Sequence, residues 1–174
     1  CRGASDQSVT GILQEAAAER SSVADRSIFD GVAIGIVTNN DDPEGLGRVK
    51  VKLPTMPQNS GNDNETDWMR MVFPGAGGAD HHGWYLLPEV NDEVLLGFEL
   101  GDFNHPYVLG GLWNGQDKPP PAKVDGGKVQ ERVICSRAGH TITFDDSDGG
   151  GGIVIKDKNG NVIKLDTKSD ALSI

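Results

Sequence analysis

Basic residues, cysteines and long apolar runs are all scarce in this sequence, and each shortage excludes a class of protein. Against 26 Asp and Glu there are 16 Lys and Arg, a net charge of −10, and so acidic a surface repels phosphate backbones and anionic membranes. The two cysteines, Cys1 and Cys135, are too few for a disulfide framework. No run of 18 apolar residues occurs, which excludes a helix that crosses a membrane.

Signatures of catalysis and of metal binding are also missing from the sequence. It contains neither a G-x-S-x-G elbow nor a phosphate-binding P-loop. His81 and His82 are adjacent, so their side chains diverge, and no nearby cysteine or aspartate spacing completes a zinc site. The acidic stretch DDSDGGGG (145–152) departs from the EF-hand pattern because no glutamate closes the loop. We therefore expect no catalytic residues, no cofactor and no bound metal.

Glycine, in contrast, is abundant, and the 24 glycines are about twice the usual share of ~7%. From residue 31 onward, apolar and polar residues alternate with a period of two, which predicts strands that each bury one face. Five such segments within residues 31–115 predict a small barrel of the OB type. They read VAIGIV, RVKVKL, DWMRMVF, DEVLLGFEL and PYVLGGLW.

The alternation also predicts which side chains of each barrel strand lie together on the buried face. The expected groups are Val32, Ile34 and Ile36; Val49, Val51 and Leu53; Val94, Leu96, Phe98 and Leu100; and Tyr107, Leu109 and Trp113. Most aromatic residues of the barrel fall on the buried phase in this scheme. An oligonucleotide-binding OB domain needs aromatics exposed over a basic groove, so the pattern argues against that function.

Composition divides the chain into four regions. Residues 1–30 carry a predicted helix at 6–20 and a linker, and residues 31–115 are the predicted barrel. Residues 116–135 are rich in proline and glycine, which predicts an extended linker. Residues 136–174 repeat short strands about every ten residues, with a strong tight-turn signal at Asn159-Gly160.

The strands of residues 136–174 are too short to build a core within one chain. Each contributes two or three apolar side chains, so a single copy leaves an apolar stripe and open strand edges in water. Three copies around a common axis would bury the stripe, and we therefore predict a trimeric triangular β-prism. Its predicted core residues are Ile142, Phe144, Ile153, Ile155, Ile163, Leu165, Leu172 and Ile174.

Four stretches of this chain resemble the spike proteins of contractile injection systems. They are GVAIGIVTNNDDPEGLGRVKVKLP (31–54), LPEVNDEVLLGFELGDFNHPYVLGGLWNG (87–115), SRAGHTITFDD (136–146) and IKDKNGNVIKLDT (155–167). This family includes VgrG proteins of type VI secretion, phage baseplate assembly protein V and the spikes of phage-tail-like particles. The resemblance implies an all-β fold, an OB barrel followed by a trimeric β-helix needle. Asn91 stands where the family often has glycine, and asparagine tolerates the left-handed turn.

The resemblance also implies a mechanical function without catalysis. The partners that it implies are two further copies of the chain, the baseplate hub and inner-tube proteins, and a PAAR-like tip protein over the blunt end of the prism. It implies assembly in the cytoplasm as part of a phage-tail-like particle or virion and delivery outside the cell, where the target membrane is pierced rather than bound. Two alternatives remain open from the residues: an OB module that binds oligonucleotide or glycan, and a cryptic or cargo-linked enzyme.

Overall fold

The computed structural model describes residues 31–55, 64–78 and 81–174. Within these ranges the regular structure consists of strands and one short 3-10 turn at Glu99–Gly101, which confirms the predicted all-β class. The helix predicted at 6–20 lies outside the described residues. In the described part of the chain, no helix has the length and hydropathy needed to cross a membrane. The chain divides between Leu112 and Trp113 into two compact units.

The first unit is a curled five-stranded sheet. Its strands are β1 (Val32–Asn39), β2 (Lys50–Lys52), β3 (Arg70–Met71), β4 (Glu93–Phe98) and β5 (Pro106–Gly111). They are arranged in the order β2-β1-β4-β5-β3, and only the β3–β5 pair is parallel. Val49 and Met69 exchange backbone hydrogen bonds of 3.1 and 2.9 Å between the two edges of the sheet. This bridge curls the sheet towards the barrel that the sequence predicts.

Nine apolar residues form the buried core of the first unit. Val49, Val51 and Leu53 are buried as the alternation in and around β2 predicts, and Val94 and Leu96 of β4 are buried with them. Burying one such side chain is worth about 1.5–3 kcal/mol. The full set is Ala33, Val37, Val49, Val51, Leu53, Met69, Val94, Leu96 and Val108.

The predicted buried face of β1 is wrong. The core face carries Ala33, Gly35 and Val37, whereas Val32 is 55% exposed and Ile34 is 42% exposed. Small residues face inward here because β2 and β4 approach closely. A Cβ atom on Gly35 would lie 3.1 Å from both Leu96 Cδ1 and Val51 Cγ2, so bulky neighbours fill the space that a larger β1 residue would need.

The predicted face of β5 is also wrong, and β4 ends earlier than predicted. Val108 lies opposite the inward Leu96 and is fully buried, while Leu109 is 44% exposed at the β4–β5 register shift, where it has no opposite residue on β4. Leu100 is 87% exposed since it adopts a left-handed backbone (φ 51°) in the 3-10 turn after β4. Asn91 has φ 79°, which confirms the left-handed turn expected there.

Asp42 organises the loop between β1 and β2. Its carboxylate accepts the backbone N–H groups of Glu44 (3.1 Å) and Leu46 (3.0 Å) and a paired hydrogen bond from the Arg48 guanidinium (2.7 and 2.9 Å). The Asp42 side chain is only 3% exposed. The Arg48 hydrogen bonds, with help from these backbone donors, hold the pKa of Asp42 well below its usual value of 3.8.

Replacing Asp42 by asparagine should therefore destabilise the first unit in a pH-dependent way. A carboxyl group whose pKa is lowered by folding contributes stability above its unfolded pKa, and the contribution is lost as the pH falls through the folded value. We expect Asp42→Asn to lower the urea midpoint of unfolding at pH 7. The gap between the midpoints of the variant and the unchanged protein should narrow below about pH 4. Asp41→Asn, at the exposed neighbouring position, is the control. An equal gap at pH 7 and pH 3 would contradict the assigned role.

The second unit contains a hairpin and a five-stranded antiparallel sheet. The hairpin pairs β6 (Val124–Asp125) with β7 (Lys128–Val129). The sheet runs in chain order through β8 (Glu131–Cys135), β9 (Thr141–Asp145), β10 (Gly152–Lys156), β11 (Val162–Asp166) and β12 (Ala171–Ser173). It begins at Glu131, five residues before the start at 136 that the sequence predicts. Residues 116–135 thus contain three strands in the range for which an extended linker is predicted.

Candidate functional site: an uncovered apolar sheet face

One face of the second sheet is lined by apolar side chains from all five strands. In antiparallel sheets, residues directly opposite each other project from the same face. Ile142 lies opposite Ile155, which lies opposite Ile163. A second row runs across the strands through Phe144, Ile153, Leu165 and Leu172. The register therefore brings the residues of the predicted prism core within these strands onto one face; Ile174 follows β12.

This apolar face is left open to water in the single chain. Ile155 is 45% exposed, Leu165 48% and Leu172 61%, and Ile174 is almost fully exposed. Ile142 and Ile153, near the middle of the sheet, are only half-buried. Contiguous exposed apolar surface of this kind marks an interaction site in a soluble protein. That three chains share this face as a core stays a prediction.

Ile134 also belongs to this face, and the sequence reasoning missed it. It lies opposite Ile142 and is 39% exposed. The residue was overlooked because residues 116–135 were assigned to a linker on their proline and glycine content. The signal that could have found it is the β-branched pair Val133-Ile134, which favours a strand over a linker.

The opposite, polar face carries charged and hydroxyl side chains with three valines among them. Thr143 and Lys164 each lie opposite Val154, and Lys164 also lies opposite Ser173. The Lys164 ammonium group contacts the Asp166 carboxylate at 2.7 Å. This hydrogen bond lowers the pKa of Asp166 below its usual value and raises the pKa of Lys164. Both groups therefore keep their charge across the physiological range, and this face is suited to water.

A tight turn between β10 and β11 fixes the register that makes the face apolar. The Asp157 carboxylate accepts the backbone N–H groups of Asn159 (2.9 Å) and Asn161 (2.8 Å) and the Asn161 side-chain amide (2.7 Å). Gly160 supplies the left-handed residue at φ 94°. A slip by one residue would move every apolar side chain of β11 to the polar face, so this turn decides which residues the face contains.

A glycine at the start of β10 fixes the β10–β11 pairing in a different way. Gly152 has φ 152°, and a Cβ atom there would lie 2.0 Å from the Leu165 carbonyl oxygen. No side chain fits at that distance. Close backbone approach therefore explains the last two glycines of the run that follows Asp148, Gly151 and Gly152.

The outer face of the barrel carries basic and aromatic side chains from neighbouring strands. The Lys50 ammonium lies 5.4 Å from the centre of the Trp68 ring, and the Arg70 guanidinium lies 4.9 Å from that of Tyr107. Trp84 and Tyr85 are also more than half exposed. The prediction that barrel aromatics are mostly buried is therefore wrong.

Carboxylates nevertheless pair with two of the basic groups near Trp68. Arg48 contacts Asp42 at 2.7 Å and Glu44 at 3.1 Å, and Lys50 contacts Glu65 at 3.6 Å. A groove that tracks a nucleic-acid backbone needs cations that are free to release counterions from phosphates. The paired charges do not provide this, so the face does not have the electrostatics of an oligonucleotide site.

Sequence comparison connects the first unit to known proteins. The family described as the type VI secretion system/phage-baseplate injector OB domain matches residues 33–113. Apart from Val32, this range covers the five strands of the curled sheet and the whole of its core. By this similarity, residues 33–113 are called the injector OB domain. The resemblance to contractile-injection spikes drawn from the sequence motifs is thereby confirmed.

Curated relatives of this injector OB domain include several VgrG proteins. The actin cross-linking toxin VgrG1 of Vibrio cholerae is 30% identical over 95 residues, which are 52% of this chain and 8% of that protein. The type VI secretion system spike protein VgrG3 of Vibrio cholerae is 30% identical over 100 residues, 55% of this chain and 10% of that protein. VgrG1c of Pseudomonas aeruginosa, also named as a spike protein, is 28% identical over 117 residues, which are 66% of this chain and 15% of that protein. The chain thus spans a small part of these relatives.

Proposed function

We propose that this chain is a structural spike of a phage-tail-like contractile injection system. The observation that carries the proposal is the apolar face of the second sheet, which is left exposed in a single chain that also contains an injector OB domain. Three copies around one axis bury this face and leave the Lys164–Asp166 face in water. The relatives VgrG3 and VgrG1c are named as spike proteins, which supports the same function here.

The β-structure itself supplies the mechanical property that a spike needs. Each antiparallel pair in β8–β12 is held by a continuous ladder of backbone hydrogen bonds. Interiors packed at crystal-like density have low compressibility and transmit strain. A shared core along three such sheets resists bending when the inner tube drives the needle forward. The proposed partners are accordingly the baseplate hub, the inner tube and a tip protein over the end of the prism.

The proposed function involves no catalysis by these residues. VgrG1 of Vibrio cholerae is named as a toxin, but the matched region covers only 8% of that protein. The match therefore concerns the injector OB domain, and it transfers no toxin activity to this chain. We assign residues 31–174 a role in assembly and penetration alone.

Immunogold electron microscopy of injection particles tests this function directly. With an epitope tag inserted at the exposed Gly126-Gly127 turn, gold should mark the baseplate end of intact particles. Particles from cells that carry the untagged gene are the control. Label along the sheath, or label only on free protein, would contradict the assignment to the spike.

The second candidate function is oligonucleotide binding by the OB barrel, favoured only by the stacked contacts at Trp68 and Tyr107. We expect no binding of a fluorescein-labelled single-stranded DNA at about 150 mM salt, because carboxylates pair Arg48 and Lys50. Fluorescence anisotropy measures this. Micromolar affinity that weakens with added salt would favour the oligonucleotide function over the spike function.

A further inference from the structure

The injector OB domain contains a cavity that the proposed spike function does not use. Its volume is about 310 Å³, at the lower end of the ~300–1,000 Å³ typical of ligand sites. The size suits one side chain or a small molecule and is too small for an oligonucleotide. Residues from β4, from the segment before β3 and from the turn before β5 line it.

The interior of this cavity is apolar. Its floor is made by Leu53, Met69 and Leu96, all of which are buried in the core. One wall is the ring pair Phe98 and Phe103, stacked with their centres 5.5 Å apart and their planes 17° apart. An unbranched aliphatic chain can lie along such a wall and exchange water contact for apolar contact.

The rim of the cavity presents hydrogen-bond acceptors. Among the described residues that line it, Asp67 is the only ionisable one, and its Oδ1 accepts the Trp68 backbone N–H at 2.8 Å. Among the described residues, Asp67 Oδ2 has no hydrogen-bond partner. The Asn104 side-chain NH₂ donates to Asp102 Oδ1 at 3.1 Å, which leaves its amide oxygen as an acceptor. A bound group must therefore supply donors.

The charges next to the cavity favour a cation. The basic groups near the Trp68 ring, Arg48 and Lys50, are already paired with carboxylates. Next to the cavity, the Asn104 backbone N–H and the His105 ring hold the pKa of Asp102 below its usual value, so a second carboxylate stays ionised there. A carboxylate or phosphate ligand would be repelled at this rim.

We propose that this cavity binds a primary ammonium group on an aliphatic chain, the chemistry of a lysine side chain presented by a partner protein. The aliphatic part lies against Phe98, Phe103 and Leu96, and the ammonium group donates to Asp67 Oδ2 and the Asn104 amide oxygen. Every described residue that forms this site belongs to the first unit of one chain.

Titration of the full chain with n-butylammonium chloride at constant ionic strength tests the site. In a Trp84→Phe/Trp113→Phe background, the fluorescence of Trp68, which lines the cavity, should change with saturation. Butyrate and n-butanol have the same aliphatic chain and should bind at least about fivefold more weakly. Asp67→Asn and Asn104→Ala should each weaken butylammonium binding, the first by at least about fivefold, while Asp41→Asn should leave it unchanged.

Three results would contradict ammonium binding at this cavity. A response to butylammonium that stays linear without saturation would overturn the proposal, as would equal affinity for butyrate. Unchanged affinity in both Asp67→Asn and Asn104→Ala, with the fold intact by circular dichroism, would show that the rim does not bind the ammonium group. None of these outcomes depends on the spike function, so the two proposals can fail separately.

Discussion

Replacing Ile155 by aspartate should dissociate the proposed trimer or fray residues 136–174. Ile155 lies between Ile142 and Ile163 at the centre of the apolar face. In the proposed prism, three copies of the new carboxylate meet in a dry core, where each buried and unpaired charge costs several kcal/mol. In a single chain the same side chain is 45% exposed, so a monomer would tolerate the change. The expected effect is therefore large only if the face is shared between chains.

Lys156→Asp is the matched control for this variant. Lys156 is the next residue along β10 and lies opposite Thr141 and Val162 on the polar face. We expect it to remain assembled, since surface substitutions away from special features change stability by about 0.5 kcal/mol or less. Analytical ultracentrifugation of both variants distinguishes the two results. Normal assembly of Ile155→Asp would show that the proposed core does not include this face.

Leu96→Ala should be the most destabilising single truncation in the injector OB domain. Leu96 is fully buried and its Cδ1 packs against the inward side of Gly35 on β1. Truncating such a leucine removes its transfer free energy and leaves a cavity, which together cost about 2–5 kcal/mol. The backbone cannot close the gap easily, because β4 is hydrogen-bonded on both sides, to β1 and to β5.

Leu100→Ala provides the control four residues along the chain. Leu100 is 87% exposed in the 3-10 turn, and we expect its loss to change stability by about 0.5 kcal/mol or less. Urea unfolding followed by tryptophan fluorescence, at one fixed protein concentration, measures both variants. Equal destabilisation by the two would mean that Leu100 packs in the core as the sequence alternation predicts, and that the turn at Glu99–Gly101 is misplaced.

Period-two alternation predicted the all-β class and the inward residues in and around β2. The inward residues of β2 could be predicted because bulky apolar side chains occupy only one of its two faces. The phase of β1 could not be read in the same way. Val32 and Ile34 are larger than Ala33 and Gly35, yet the smaller pair faces the core. The choice depends on how closely β2 and β4 approach, and this distance is set by pairings between residues far apart in the sequence.

Local rules also missed features that depend on backbone geometry. The register shift at Leu109 lies next to Gly110 and Gly111 of β5. Glycines inside a strand indicate a bulge, but they do not determine which side chain it turns outward. The early end of β4 follows from the left-handed conformation of Leu100, which its residue type disfavours. By contrast, the apolar face of β9–β12 was accessible to prediction because its residues recur with one period and a recognisable turn separates β10 from β11.

The spacing of apolar residues thus predicted the apolar face of β9–β12, but it did not predict the contribution of β8 to that face. Ile134 on β8 extends the face by one strand, and the composition of the preceding residues concealed it. The ammonium cavity was not predictable at all. It joins Asp67, Phe98 and Asn104, which belong to three separate segments of the chain.

The molecular mass of the 174-residue chain in solution tests the central claim most directly. Size-exclusion chromatography with light scattering, repeated over a range of protein concentrations, gives this mass without a label or a substitution. The account predicts a species with three times the 18.5 kDa mass of one chain. This mass is expected at every protein concentration at which hydrogen–deuterium exchange shows the second sheet to be folded. A single species of 18.5 kDa that keeps the second sheet folded would contradict it, because the apolar face would then be stable in water without a partner.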